Sequence, residues 1–471
     1  MIINKNIFRT YDIRGVYPGE LNEEAAQRIA QAFAFLYPNA KKIVVARDPR
    51  LSSPSLFSAI TEALIGAGRE VIDIGIAPDP LFYFSIFNRG FDGGIMISGS
   101  HNPKEHNGLT LHVRKDGSVM SRDIIQEDLF KLRDLATNGN FEESGKRGKV
   151  SQADFSEEYI DYVTKRVFLK KTLKIVIDSG NGSCGLLPEK VFKKLGCETI
   201  TLYGNFDGTF PHHLPDPYKP ENLSDLQKET LKQKADLGFA FDTDGDRVAP
   251  IDNKGRQITG DSCLWMLAHQ ALSQKKGPLV HDARVSKALL DKMDSMGIKT
   301  YFSVSHHNAV AEEVIKKKAV FGGEITYHFL FPLDYYLYDD AIFASLKIAE
   351  VASAQKEFSS YIDSIPRYAA SPEVFIDCDD DKKFKIIDNL QKYLRENDYD
   401  FIDVDGARIN FENGWALARA SNTTPMIKCR FEGKTQNDLL EIEKKALQIF
   451  KKTGVPINEK VYAELGLNEQ G

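Results

Sequence analysis

Three stretches of this chain repeat one order of elements, and that repeat limits the folds open to it. They are KKIVVARDPRLSSPSLFSAITEALIGAGREVIDIG (41–75), LKIVIDSGNGSCGLLPEKVFKKLGCETITLYG (173–204) and GPLVHDARVSKALLDKMDSMGIKTYFSV (277–304). Each reads as an apolar strand, a polar loop, an amphipathic helix, a glycine (Gly68, Gly196, Gly297) and a second strand. Glycine ends such a helix because it tolerates the left-handed cap. Uninterrupted apolar strands predict sheets covered on both faces. Three such units predict three α/β domains of related fold. A length of 471 residues allows three or four domains.

The pattern changes near the C-terminus. DKKFKIIDNLQKYL and TQNDLLEIEKKALQIFKKTG read as amphipathic helices, and the segment 398–433 alternates like antiparallel strands around an ENG turn. The predicted fold class is therefore three similar α/β domains of mixed sheets with covering helices plus a C-terminal α+β domain. The polar, Gly/Ser-rich stretch 136–159 reads as the first linker. Further boundaries are expected near 250–255 and 365–375. The expected domains are 1–150, 151–251, 252–366 and 367–471.

A net charge of −6 gives no global basic field, so nucleic acid is not an expected partner. The cysteines at 184, 197, 263, 378 and 429 form no CxxC pair, which argues against a disulfide framework or a zinc site and fits a reducing compartment. The N-terminus MIINKNIFRTYDIRG has no apolar h-region, and no run approaches a membrane span in length. The expectation is a cytoplasmic protein with no membrane partner.

Several short motifs carry possible chemistry. ADLGFAFDTDGDRVAP sets Asp242, Asp244 and Asp246 just after an apolar strand, and their spacing by two aims them toward one side of a tight turn. Three hard oxygen ligands without His or Cys suit Mg²⁺ or Ca²⁺. An EF-hand loop needs Gly at its sixth position and Glu at its twelfth, where this chain has Arg247 and Asn253. A solvated Asp-Gly turn is the alternative. Arg247 follows the cluster and suits a phosphate that a metal also touches.

ISGSHNPKEHNG sets Ser100 in a loop after the apolar run GGIMI; alone, such a serine reads equally as a turn or a cap. FGGEITYHFLF spaces Glu324, Thr326 and His328 by two, so they share one face if the segment is extended. RASNTTP gathers Arg419, Ser421, Asn422 and Thr423, a cation and hydroxyls suited to a phosphate monoester, or an ordinary Asn/Ser turn. RTYDIRG flanks Asp12 with Arg9 and Arg14, as a salt-bridged packing unit or a phosphate clamp.

Together and in this order, FRTYDIRG, SGSHNP, FDTDGDR, GGE and DGARINFENGWALARASNTTP resemble the α-D-phosphohexomutase family, closest to its phosphomannomutase/phosphoglucomutase group. The resemblance covers nearly the whole chain. It implies four domains around a central active-site cleft, and interconversion of hexose 6-phosphate and hexose 1-phosphate, of mannose or glucose, through a phosphoserine and a hexose 1,6-bisphosphate. It implies one Mg²⁺ ion, held by Ser100, Asp242, Asp244 and Asp246, with hexose 1,6-bisphosphate as activator. Ser100, His101, Arg14, Arg247 and His306 are the implied catalytic residues. Tyr11, Arg284, Glu324, Thr326, His328, Arg419, Ser421, Asn422 and Thr423 are the implied substrate-binding residues. The partner is then a small phosphosugar, and the protein a monomer or homodimer.

Departures from the family pattern cluster at the site. Thr110 stands where the family carries Lys, and Ser303 stands in a segment where it carries another. Thr supplies neither a cation nor a base near neutral pH. His112 shares a strand face with Thr110 and reads either as a substitute for that lysine or, more simply, as a surface histidine. Tyr327, in the recognition loop, is bulky enough to narrow a pocket or reach a sugar hydroxyl. The alternatives are a degenerate sugar-phosphate-binding relative with weak or no mutase activity, or a phosphoserine-dependent sugar phosphatase.

Overall fold

Each repeated segment folds as a βαβ unit with its two strands as parallel neighbours. The computed structural model describes residues 3–114, 121–142, 144–421 and 424–467. The first domain's strands are β1 (Ile13–Val16), β2 (Lys42–Arg47), β3 (Glu70–Ile76), β4 (Gly93–Ile97), β5 (His106–Arg114), β6 (Ser121–Asp123) and β7 (Val150–Gln152). They form one mixed sheet in the order β1-β5-β4-β2-β3-β7, with β6 on β5. The second sheet runs β11-β10-β8-β9, from β8 (Lys174–Asp178), β9 (Glu198–Leu202), β10 (Leu237–Phe241) and β11 (Val248–Asp252). In the third, β12 (Leu279–Asp282) lies between β13 (Thr300–Ser303) and β14 (Phe321–Gly323). Lys42 pairs with Glu70, Lys174 with Glu198 and Leu279 with Thr300, all in parallel register. Gly68, Gly196 and Gly297 have φ of 76°, 80° and 71°, the left-handed conformation their positions require.

The C-terminal sheet is antiparallel: β16 (Ala369–Ala370), β17 (Val374–Asp377), β18 (Phe401–Ile402), β19 (Ala407–Phe411), β20 (Gly414–Ala420) and β21 (Met426–Gly433), where β15 is the short strand Phe329–Leu330. Helices Asp380–Glu396 and Gln436–Lys452 supply Leu390, Leu394, Leu447 and Phe450 to the core beneath it. Three α/β sheets and a C-terminal α+β layer agree with the fold class expected from the sequence. The chain divides into two compact units, Met1–Gln270 with Thr326–Asp363, and Ala271–Ile325 with Ser364–Gly471.

Three helices pack in the first unit. α1 (Glu23–Leu36) starts at Asn22, whose side chain accepts from Ala25 N, and buries Ala26, Ile29, Ala30 and Phe33 on one face. α2 (Ser53–Gly66) begins with Pro54 in its first turn. A third helix, α3 (Asp79–Arg89), starts after Pro78 and ends at left-handed Gly90. One difference from expectation lies in the stretch 136–159, which is not all linker. Val150–Gln152 is exposed along its whole length, yet adds to the sheet beside β3, pairing Val71 with Val150. A three-residue edge strand without a buried face leaves no alternation in the sequence. No described helix is long and apolar enough to cross a membrane.

Candidate active site

β4 is buried along its whole length and delivers the chain into the loop carrying Ser100. Gly94 is required there, since a Cβ would lie 2.5 Å from the Phe82 ring of α3. Ser100 is buried, with φ of 47°, an uncommon conformation for a non-glycine residue. What holds it there is Arg50, which is fully buried. Its Nη2 donates to the carbonyls of Ser100 (2.6 Å) and Asn102 (2.7 Å), and its Nη1 to those of Pro103 (2.6 Å) and His106 (3.0 Å). Asp48 neutralises Arg50 at 2.9 Å and accepts from Gly99 N at 3.0 Å. A side chain at Gly99 would strike Arg50 Nε, 2.5 Å from its Cβ. Ser100 Oγ lies 3.1 Å from Nδ1 of His101.

The three carboxylates follow β10 as the spacing predicts. Asp242 Oδ1 accepts from the backbone N–H groups of Gly245 (3.0 Å), Asp246 (3.1 Å) and Arg247 (3.2 Å), folding the loop around itself. Gly245 has φ of 75°, and a Cβ there would sit 2.5 Å from Cys184 Sγ. Ligand oxygens from Asp242, Asp244 and Asp246 lie within 4.8 Å of one another. Among the described residues, Asp242 Oδ2, Asp244 Oδ1 and Asp246 Oδ1 are buried without a hydrogen-bond partner. Burial and the adjacent Asp246 push Asp244 up to about 6, and burial, followed by Asp246 and Asp244, raises Asp242 well above the usual carboxylate range. Crowded buried carboxylates of this kind call for a cation.

Ser98 joins the two loops. It accepts from Ser100 N at 2.9 Å and donates to Asp244 Oδ2 at 2.7 Å. Arg14, on β1, reaches the same place: Nη1 donates to Gly99 O at 3.2 Å and Nε to Asp12 at 2.5 Å. Tyr11 is buried two residues before Ile13, the first residue of β1. Arg247 donates through Nε to Nε2 of His328 at 2.9 Å, and His328 Nδ1 makes a close contact with Asp339. Thus the first unit brings together Ser100, His101, Arg14, the three aspartates, Arg247 and His328.

The second unit holds the remaining candidates. Arg284 binds Asp282 through Nε at 2.8 Å, Glu324 through Nη2 at 3.2 Å, and lies 3.8 Å from Glu373. Arg419, on β20, pairs with buried Asp405 at 2.9 Å. Ser421 Oγ accepts from Thr424 N at 3.2 Å and pairs with Thr424 Oγ1 at 2.8 Å. His306 caps the helix His307–Lys317, its Nδ1 accepting from Asn308 N at 3.3 Å. Asn422 and Thr423 lie outside the described residues.

Three expectations need correction. Residues 324–328 form a turn rather than a strand, so Glu324, Thr326 and His328 do not share a face by alternation. Tyr327 turns inward: it is buried, accepts from Gln257 Nε2 at 2.9 Å and donates to Ile258 O at 3.1 Å. His112 is fully buried rather than on the surface, 3.4 Å from Asp123 and edge-on to Tyr83. Sequence reasoning also missed Ser98, Arg50, Asp48, Asp339 and Asp79. The last donates its backbone N–H to Asp244 O at 2.7 Å, and its Oδ1 is buried without a partner among the described residues.

Comparison with known proteins agrees with this geometry. Phosphoglucomutase/phosphomannomutase alpha/beta/alpha domains I, II and III match residues 5–132, 157–255 and 259–368, and the C-terminal domain of the same family matches residues 373–449. The chain is 33% identical over 446 residues to a phosphomannomutase/phosphoglucomutase of Pseudomonas syringae pv. tomato, covering 94% of each. It is 33% identical to a phosphoglucomutase of Neisseria gonorrhoeae, covering 94% of this chain and 96% of that one. A phosphoglucomutase/phosphomannomutase family protein from Burkholderia thailandensis has the same fold, with a TM-score of 0.88, 30% identity, and coverage of 97% of this chain and 99% of that one. With a matching segment for every domain and relatives alike from end to end, this chain belongs to the phosphoglucomutase/phosphomannomutase family of phosphohexomutases.

Proposed function

We propose that the chain interconverts the 6- and 1-phosphates of glucose or mannose by passing a phosphoryl group through Ser100. In the phosphorylated enzyme, Ser100 gives its group to the free hydroxyl of a hexose monophosphate, forming hexose 1,6-bisphosphate. The bisphosphate turns over in the site and returns its other phosphoryl group to Ser100, so phosphate is conserved. The observation that carries this reading is the Ser98 bridge, which ties the serine loop to the acidic loop.

The residues divide the work by chemistry. Arg247 is anchored at Nε, and its two terminal nitrogens make no hydrogen bond to the described residues. They suit the equatorial oxygens of a transferring phosphoryl group, whose charge must be neutralised. Arg14 supplies a second cation beside Gly99. His101 is the polar neighbour of Ser100 Oγ and is assigned to proton handling there. The three unpartnered aspartate oxygens fit one Mg²⁺, which would supply charge neutralisation at the phosphoserine. Arg419 and Ser421, with Asn422 and Thr423, are assigned to the phosphate that does not react, and Tyr11, Glu324 and Thr326 to the sugar. Arg284 is already committed to carboxylates, so its assigned role is to hold Glu324 in place. Hexose 1,6-bisphosphate serves as activator by rephosphorylating Ser100.

Intact-mass analysis after incubation with glucose 1,6-bisphosphate and Mg²⁺ tests the reading. One phosphoryl group should be gained, then lost to added hexose monophosphate, and Ser100→Ala should gain none. Normal turnover by Ser100→Ala would sink the proposal. Release of inorganic phosphate in step with substrate loss would favour a phosphatase instead.

A further inference from the structure

The C-terminal sheet carries its charges on a buried face. Ile409, Ala416, Ala418, Cys429 and Phe431 form one core with Leu390, Leu394, Leu447 and Phe450 of the two helices. Alternation sends their neighbours in the strands to the opposite face. There Arg408 on β19, Leu417 on β20 and Arg430 on β21 stand directly opposite one another, beside the cross-strand pairs Trp415–Glu432 and Arg419–Lys428. Arg408, Trp415, Arg419 and Glu432 are all buried.

The loop after β12 lies against this face. Arg408 Nη1 donates to the carbonyls of Ala283 (2.6 Å) and Val285 (2.8 Å), and Arg430 Nη1 donates to that of Arg284 between them (2.6 Å). Two guanidinium groups thus take three successive carbonyls. Lys287 N donates to Glu432 Oε1 at 2.7 Å, the same oxygen that accepts from Trp415 Nε1 at 2.9 Å. The Arg408 guanidinium lies over the Trp415 ring, 3.8 Å from its centroid, which holds its plane against the indole. The loop held in this way carries Arg284, whose Nη2 donates to Glu324 at 3.2 Å.

We propose that Arg408 is a positioning residue for sugar recognition: with Arg430 it fixes the backbone of residues 283–285, so that Arg284 holds Glu324 at a set distance from the phosphate grip at Arg419 on the same sheet face. The inference rests on the assignment, made above, of Glu324 to the sugar and Arg419 to the phosphate. The ligand it fits is a hexose phosphate, whose ring fixes the separation between phosphate and hydroxyl groups. Lysine cannot replace Arg408, because one ammonium neither forks between two carbonyls nor stacks flat on an indole.

Calorimetric titration of the full-length protein, with glucose 6-phosphate and inorganic phosphate as separate probes, tests the assignment. In Arg408→Lys the Kd for glucose 6-phosphate should rise about tenfold, as for the loss of a charge-assisted hydrogen bond, while that for inorganic phosphate stays within about twofold. KM for glucose 1-phosphate should rise in step, with kcat changed far less. Arg430→Met releases Arg284 O and leaves Arg408 on Trp415; it should shift the two Kd values in the same sense, and it decides the matter if Arg408→Lys does not fold. Equal weakening of both probes, or no change in either, overturns the proposal. A wild type that binds glucose 6-phosphate no better than inorganic phosphate also overturns it, since there is then no sugar grip to position. Kd values that split as expected in a protein without mutase turnover would sink the phosphoryl-transfer reading and leave the role of Arg408 standing.

Discussion

Ser98 Oγ donates to Asp244 Oδ2 at 2.7 Å across 146 residues of sequence, while accepting from Ser100 N. The bond spans two domains and leaves only Oδ1 of Asp244 for another partner. Ser98→Ala removes the donor to a buried carboxylate and the acceptor for a buried N–H. A loss of about 1–3 kcal/mol in unfolding free energy is expected, with a fall in kcat, measured by urea denaturation and a coupled assay. Ser98→Thr keeps the hydroxyl and should retain more of both. Unchanged stability in Ser98→Ala would show that the bridge does not hold the loops.

Arg50 makes a second test, because its role is held by geometry that lysine does not have. Its Nη1 and Nη2 reach four carbonyls of the serine loop and its Nε reaches Asp48. A single ammonium cannot reproduce that planar fork. Arg50→Lys leaves carbonyls and Asp48 poorly paired in a fully buried place, at a cost of about 3–5 kcal/mol. Denaturation midpoints check this; a midpoint within error of the wild type would refute it.

The parts legible in the sequence were those with a local rule. Parallel strands buried on both faces, each followed by a helix and a left-handed glycine, mark βαβ units however distant their partners. Three aspartates spaced by two after a buried strand mark a shared side of one turn. Ser98 had no such mark, since a serine after a strand is ordinary turn chemistry until Asp244 folds against it. Arg50 looked like one more charge in a polar loop. For His112, alternation identified the face but not its cover, which Tyr83 and Phe87 of α3 provide. The Glu-x-Thr-x-His spacing suggested a strand because alternation alone ignores turns, and Tyr327 at φ of 73° breaks the extension.

The acidic loop predicts a pH dependence with a definite sign. Burial and Asp246 lift Asp244 to about 6 from its ordinary 3.8. Between these values the folded protein holds a proton that the unfolded chain has released. Stability of the metal-free protein from this group is therefore present at low pH and lost as pH rises through that window. A divalent cation replaces the proton. Added Mg²⁺ should raise the Tm more at about pH 7.5 than at about pH 5, where it competes with protons. Scanning calorimetry with and without Mg²⁺ checks this, and an equal Mg²⁺ shift at both values would contradict it.

Tyr327 tests whether the turn at 324–328 reads the sugar through its largest side chain. Its hydroxyl is buried and satisfied on both sides, accepting from Gln257 and donating to Ile258 O. Tyr327→Phe removes only that oxygen and leaves the ring in place. A buried carbonyl and a partly buried amide lose their partner, at a cost of about 1–3 kcal/mol. Because the hydroxyl faces inward, the ratio of kcat/KM for glucose 1-phosphate to that for mannose 1-phosphate should stay within about twofold, since discrimination by a site hydroxyl requires contact with the substrate. Steady-state kinetics on both sugars decides the matter: a changed ratio at unchanged Tm would make Tyr327 a reader of the sugar, and a lower Tm at a constant ratio makes it a brace for the turn.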